Sequence, residues 1–227
     1  LCAFPHNPTS KLKPHSAPTH SYTPAGTYML NKPLEEIIYD EAGKFVGVKS
    51  EGEIVKAKVL VGDPSYFKPA EEKEGAAPKV KLTKQIVRAI CILQHPVPNS
   101  GKNSGTQIIL PAKQLNRQTD IYITQLDEQH KVCAAGKCLA IAATVREMED
   151  PYTELPAAFE VLGFQAGDDV FININDYYEP TGDGKDNNVF ISSSMDATSH
   201  FETTVDDVMD MYQRMNGKPL DLTIPDE

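Results

Sequence analysis

The sequence predicts a mixed α/β chain: a mixed or antiparallel sheet layer with a packed C-terminal helix. Two observations carry this. Short runs rich in Val, Ile and Tyr recur at strand length between clusters of Gly, Pro, Asn and Asp. Near the end, Val205, Val208, Met209, Tyr212 and Met215 fall on one face at helical spacing. The chain has 227 residues, enough for one large domain or two small ones.

Residues 1–24 stand apart. They hold Pro5, Pro8, Pro14, Pro18 and Pro24 among many Ser and Thr, with neither a helical nor a strand period. Such a segment buries too little apolar surface to offset its ordering entropy, so it is expected to be disordered. The folded unit is expected over 25–222, with 223–227 as a disordered tail.

Strands begin with the apolar run Thr27–Leu30. Ile37–Tyr39 and Phe45–Val48 flank Asp40–Lys44, a hairpin loop whose Gly43 supplies a positive φ. Glu51-Gly52 turns into a strand over Glu53–Val61, fully buried at its end and stopped by Asp63-Pro64. After a charged loop at 68–81, strands are expected at Val87–Gln94, Gln107–Leu110, Ile121–Gln125 and Lys137–Thr144. A short helix spans Glu154–Leu162, with Pro156 in its first turn, where a missing N–H costs least. Val170–Ile174 and Val189–Ser192 are further strands. In the last helix Thr203 and Thr204 are candidate N-caps, and Gly217 with Pro219 ends it. Its Met and Tyr stripe reads as a core-packing face.

Composition excludes several function classes. The net charge of −10 argues against a nucleic-acid surface, which needs clustered Lys and Arg. No run approaches the roughly 18 apolar residues of a membrane span. The four Cys suit a reducing cytosol better than a disulfide scaffold.

The search for chemistry returns no catalytic residue. Dinucleotide, phosphate-loop, nucleophile-elbow and zinc-protease motifs are missing from the sequence. Glu35-Glu36 and Glu71-Glu72 read as solvated surface, because neighbours in extended chain point apart. His95 and His200 could each act as a base, but no nucleophile accompanies either. Cys133 and Cys138 with His130 could be posed as metal ligands; small residues packed in a core are the better reading. No cofactor and no metal are expected.

Several segments, read together in register, resemble the Rab GDP-dissociation inhibitor family. They are Gly26-Thr27-Tyr28-Met29-Leu30-Asn31-Lys32-Pro33, Gly47-Val48-Lys49-Ser50-Glu51-Gly52-Glu53 and Asp63-Pro64-Ser65-Tyr66. Ile90-Cys91-Ile92-Leu93 with His95-Pro96, and Gln114-Leu115-Asn116-Arg117 with Asp120-Ile121-Tyr122, follow. The most specific is Asp196-Ala197-Thr198-Ser199-His200-Phe201-Glu202-Thr203-Thr204, then Met211-Tyr212-Gln213-Arg214-Met215. The resemblance runs from about 25 to 220 and leaves residues 1–23 unmatched.

This resemblance implies a partial two-dinucleotide-binding-like domain (FAD/NAD(P)-binding, GDI-type) that is not an enzyme. It implies a GDP-bound, prenylated Rab GTPase as partner, in a cytoplasmic, monomeric protein that touches membranes only transiently, through its Rab. It places Thr27 and Met29 on the Rab-binding platform, against the switch regions; the plainer reading is that they open a strand. The family's N-terminal dinucleotide fingerprint, its first platform segment and the helical domain that receives the prenyl group have no counterpart in this sequence. Two other readings are a Rab escort protein, which the compact spacing argues against, and a flavin-dependent oxidoreductase fragment, which the missing fingerprint argues against.

Overall fold

A computed structural model describes residues 2–3, 29–68, 78–101 and 103–223. In chain order the strands are β1 (Cys2–Ala3), β2 (Glu36–Tyr39), β3 (Phe45–Ser50), β4 (Glu53–Lys56), β5 (Leu60–Gly62), β6 (Val80–Leu93), β7 (Gly105–Leu110), β8 (Ile121–Asp127), β9 (Cys138–Val145), β10 (Asp169–Pro180) and β11 (Val189–Ile191). The α-helices are α1 (Pro156–Leu162) and α2 (Glu202–Asn216). The chain divides into two compact units. One comprises Leu1–Lys81, Pro180–Ser193 and Asp207–Glu227; the other comprises Leu82–Glu179 and Ser194–Asp206.

The first unit holds two three-stranded sheets, ordered β1-β5-β11 and β2-β3-β4. β5 and β11 run parallel, although more than a hundred residues separate them, while β2, β3 and β4 form an antiparallel meander. The fold is therefore mixed, as expected. Gly43 has the anticipated positive φ of 76°, and Asp40 caps the loop by accepting from Ala42 N and Lys44 N at 3.0 and 2.8 Å. The β3–β4 turn is tighter. Glu51 and Gly52 both take positive φ, 50° and 80°, the twist a two-residue hairpin needs. Phe45, Val48, Leu60, Val189, Phe190, Ile191 and Met211 are buried.

The second unit is built on a five-stranded sheet, order β10-β6-β9-β8-β7. Its central strand β9 carries Ala140 and Ala142, which pair with Cys91 and Ala89 of β6 and with Gln125 and Ile123 of β8. These small residues let α1 approach closely, burying Leu155, Ala158 and Leu162 against Val87, Leu93, Ile121 and Ile123. α1 starts at Pro156 and stops at Gly163, whose left-handed φ of 67° closes a Schellman turn through Gly163 N and Phe164 N onto Phe159 O. A Cβ at Gly163 would lie 2.6 Å from Pro98 Cγ, so a larger residue is excluded by packing as well as by backbone.

A buried ionic network locks the loop before β8 to the end of β9. Arg117 lies 2.6 Å from Glu154 Oε2, with side chains only 5% and 0% exposed. Glu154 Oε1 accepts from the backbone N–H groups of Glu147 and Met148. Arg117 also donates to Thr144 Oγ1 and Val145 O. Glu147 in turn accepts from Gln118 N, Thr119 N and the Thr119 hydroxyl. Burial alone would raise the Glu147 pKa; the Thr119 and Gln118 hydrogen bonds and Arg117 outweigh it and hold the carboxyl below its usual value.

Several expectations are corrected. Met29 and Leu30 lie in no strand. The single strand expected over Glu53–Val61 breaks at Ala57–Val59 into β4 and β5, which join different sheets. β6 begins at Val80 rather than Val87. Its polar start is held by β10, with Gln85 Nε2 donating to Asp176 Oδ1 at 2.8 Å, a contact that hydrophobic patterning does not register. β10 correspondingly runs on to Pro180. Thr203 and Thr204 sit inside the first turn of α2, whose Val205 N bonds to Phe201 O, and Thr203 spends its hydroxyl on Asp196.

The stripe on α2 is a core face only in part: Val205 and Val208 are each 53% exposed, Met209, Tyr212 and Met215 are half-buried, and the fully buried residue is Met211. Polar anchors set the helix's rotation: Asp207 accepts from Ser193 N at 3.0 Å, and Arg214 donates to Asp183 O at 2.9 Å. Residues 207, 211 and 214 share a face, which turns the Val205 and Val208 end of the stripe toward solvent. Of the expected disordered head, only Cys2–Ala3 is described, and it pairs antiparallel with β5. The rest of that expectation, the loop at 69–77, and residues 224–227 of the expected tail lie outside the described residues.

Two predictions concern stability. Glu154→Gln removes the nearer of the two carboxylates beside the buried Arg117, leaving Glu147 at 3.7 Å, and is expected to cost about 3–5 kcal/mol. At roughly 2–4 °C per kcal/mol that is a fall in Tm of about 6–20 °C, checked by thermal unfolding. Asp168 accepts from Gln94 N and Gln165 N at 2.8 Å each. Burial opposes its charge, but these bonds and His95 prevail and lower its pKa. The folded carboxyl thus holds its proton more weakly than the unfolded one. Its contribution is present above about pH 4 and is lost as pH falls further. Asp168→Asn is expected to destabilise at pH 7, with the difference from the parent shrinking as pH falls below about 4 in urea unfolding.

Candidate functional site

The segment 29–35 leads into β2 and is shaped by polar contacts with the β3–β4 hairpin. Asn31 takes a left-handed φ of 57°, which turns the chain after Leu30. Lys32 Nζ contacts Glu51 Oε2 at the hairpin tip. Glu35 N donates to Lys49 O at 3.0 Å, and Glu35 Oε1 accepts from Gly52 N at 3.2 Å. Glu35 Oε2 lies 3.9 Å from Lys49 Nζ.

These anchors leave the apolar residues in water. Met29 is 64% and Leu30 88% exposed, and in the same unit Ile54 on β4 is 60% exposed. Thr27 lies outside the described residues. Met29, expected either to open a strand or to present a platform, opens no strand and is accessible to a partner.

The other singled-out residues assemble no reactive group. His95 Nδ1 lies 2.8 Å from Pro96 O and Nε2 lies 3.3 Å from Asp168. The neighbouring Cys91 is buried, and desolvation with the Asp168 charge pushes its thiol up to about 12, so it stays protonated and inert. His200 stands 3.5 Å from the exposed Glu202 and packs its ring 6.0 Å from Tyr122. Glu35 pairs as described and Glu36 is exposed, as expected of surface. Glu71-Glu72 lies outside the described residues. Cys133 donates to Lys137 O at 3.2 Å, and burial first, then the neighbouring Cys133 and the Asp127 and Glu128 carboxylates, raise the Cys138 pKa. Among the described residues no group of three His, Cys, Asp or Glu is arranged to hold a metal.

Sequence reasoning missed two arrangements. The sequence shows Arg117 as part of a motif and not as half of a buried ion pair, because its partner Glu154 is remote in the chain. Asp196 was likewise a motif letter. It caps its own turn by accepting from Thr198 N and Oγ1 at 2.9 and 2.6 Å, and it borders a polar cleft with Asp120 and Tyr122. The Asp-x-Thr spacing signals the turn; nothing local signals the cleft.

Known proteins share this sequence and architecture. A family model described as GDI, GDP dissociation inhibitor, matches residues 14–227. That match starts inside the head, so residues 14–23 fall within the family model although the motifs left them unmatched. Rab GDP dissociation inhibitor beta of Rattus norvegicus is 46% identical over 196 residues, covering 86% of this chain and 41% of the relative. Its counterpart from Canis lupus familiaris is 44% identical over the same length. The crystal structure of Rab GDI from Plasmodium falciparum is similar with a TM-score of 0.79 and 36% identity, covering 86% of this chain and 43% of that one. The likeness bears out the expected partial two-dinucleotide-binding-like, GDI-type fold. The chain spans less than half the length of these relatives. With a family model spanning nearly its whole length and relatives this similar, the chain belongs to the GDP dissociation inhibitor family.

Proposed function

We propose that this chain supplies part of the GTPase grip of a Rab GDP-dissociation inhibitor, with Thr27 and Met29 set against the switch regions of a GDP-bound, prenylated Rab. The observation that carries this is the exposure of Met29 on a segment fixed by polar bonds to a hairpin. An exposed, flexible thioether side chain beside other exposed aliphatic groups suits the docking of a folded partner. Holding the switch loops in their GDP-state conformation slows nucleotide release by population shift, without covalent chemistry. The family consists of regulators, and the inert Cys91 and the unassembled histidines are consistent with a non-enzymatic role.

Solubilising the prenyl tail is a separate task. Each buried CH₂ contributes about 0.8 kcal/mol, so a long apolar pocket is required. Two clefts among the described residues, of about 80 and 280 Å³, are both lined in part by Lys and Thr side chains. Neither suits a polyisoprene. Among the described residues no helix is long and apolar enough to cross a membrane. We assign the chain to the cytoplasm as a monomer that meets membranes transiently through its Rab.

The chain by itself is expected to bind Rab weakly and to leave prenylated Rab on liposomes in a sedimentation assay; robust extraction would refute the division of labour. Met29→Asp, in a longer chain that carries this segment, is expected to weaken Rab·GDP binding about tenfold or more. Tm should change by only about 1–2 °C. A large loss of stability with no specific binding defect would instead mean that Met29 packs within the fold.

A further inference from the structure

The unit formed by residues 82–179 and 194–206 holds a cleft of about 280 Å³, with Lys84, Thr119, Asp120, Tyr122, Asp196 and Thr198 among its lining. Its charges do not cancel: two carboxylates meet one ammonium. Both carboxylates are fixed in place by neutral donors. Asp120 Oδ1 accepts from Ala112 N at 2.8 Å. Asp196 Oδ1 accepts from Thr198 N and Oγ1, and the Thr203 hydroxyl also bonds this carboxylate. Lys84, the one cation among those lining residues, sits over the Tyr177 ring, with Nζ 4.3 Å from the centroid, and its charge also acts on Asp196; Arg88, outside the lining, donates to Asp196 O at 2.8 Å. The Tyr122 phenol shares the space with the two carboxylates: burial foremost, then the Asp120 and Asp196 charges, raise its pKa.

The cleft thus offers a half-buried aromatic ring flanked by two oriented anions against the single cation that lines it. We propose that it receives an arginine side chain presented by a protein partner, the guanidinium lying along Tyr122 and donating to Asp120 and Asp196. A planar guanidinium can stack on a ring and donate in two directions at once, whereas an ammonium can do only one well. Such a charge-assisted bond is stronger than a neutral one. An anionic or apolar occupant would strand the carboxylates, and among the described residues the donors needed for a metal are not grouped. The net charge of −10 steers basic partners toward the surface. The inference does not use Met29 and stands apart from the Rab-platform reading.

The test titrates the isotope-labelled chain with Ac-Gly-Arg-Gly-NH₂ and follows backbone amides by NMR. The control replaces arginine with citrulline, which keeps the shape and loses the charge. The expected result is amide shifts clustered at Thr119, Tyr122, Ala197 and Thr198 with the arginine peptide alone. Asp120→Asn is expected to weaken apparent affinity about fivefold, and Lys84→Gln, which removes the competing cation, to strengthen it about twofold. Equal responses to both peptides, shifts scattered over the acidic surface, or a Lys84→Gln chain that binds more weakly would each overturn the proposal. If Asp120→Asn loses the dispersed spectrum of a folded chain, the citrulline comparison and Lys84→Gln decide.

Discussion

An apolar side chain kept in water has to be prevented from collapsing onto its own fold. Burying a Met side chain fully gains about 1.5–3 kcal/mol, and Met29 forgoes most of it at 64% exposure. What holds it out is a set of directional polar contacts: the left-handed Asn31, the Lys32–Glu51 pair, and Glu35 bonded to Gly52 N and to the Lys49 backbone. An exposed ion pair such as Lys32–Glu51 contributes little to stability, at most about 1 kcal/mol. Its consequence is geometric. It fixes where the chain turns, so that Met29 and Leu30 stay accessible while the sheet beneath is fully formed.

The other unit solves a different problem by related means. Its core is aliphatic where α1 meets the sheet, and the alanines of β9 set the spacing there. Its edge is ionic. Arg117 and Glu154 are nearly inaccessible to water, so each depends on the other, with Glu147 near Arg117 and further hydrogen bonds to backbone groups and Thr144. The pair pins the turn that carries Asp120 and, next to it, Tyr122, the same residues that border the polar cleft. Under the proposed function, gripping a partner needs such fixed surfaces.

Much of the fold was legible in the sequence. Alternation and turn chemistry located most strands, Gly43 and the Glu51-Gly52 turn among them, because each depends on local backbone preference. The misreadings share one cause. The polar start of β6 is a strand because β10 lies alongside it, and the face of α2 is chosen by Asp207 and Arg214 rather than by its Val and Met stripe. The break between β4 and β5 sends two halves of one apolar run into different sheets. Partners distant in sequence decide all three. At the site, motif resemblance pointed to Met29, and periodicity alone read the run around it as a strand. The polar anchors that settle its exposure include residues more than twenty positions away, Glu51 and Gly52.

The account is tested most directly by placing a photoactivatable amino acid at Met29 and irradiating the chain with GDP-bound, prenylated Rab, since crosslinking captures weak complexes. The account predicts adducts on the Rab switch regions from Met29, and none when the same group is placed at the exposed Ile109 of β7. Equal capture from both positions, or none from Met29, would contradict it.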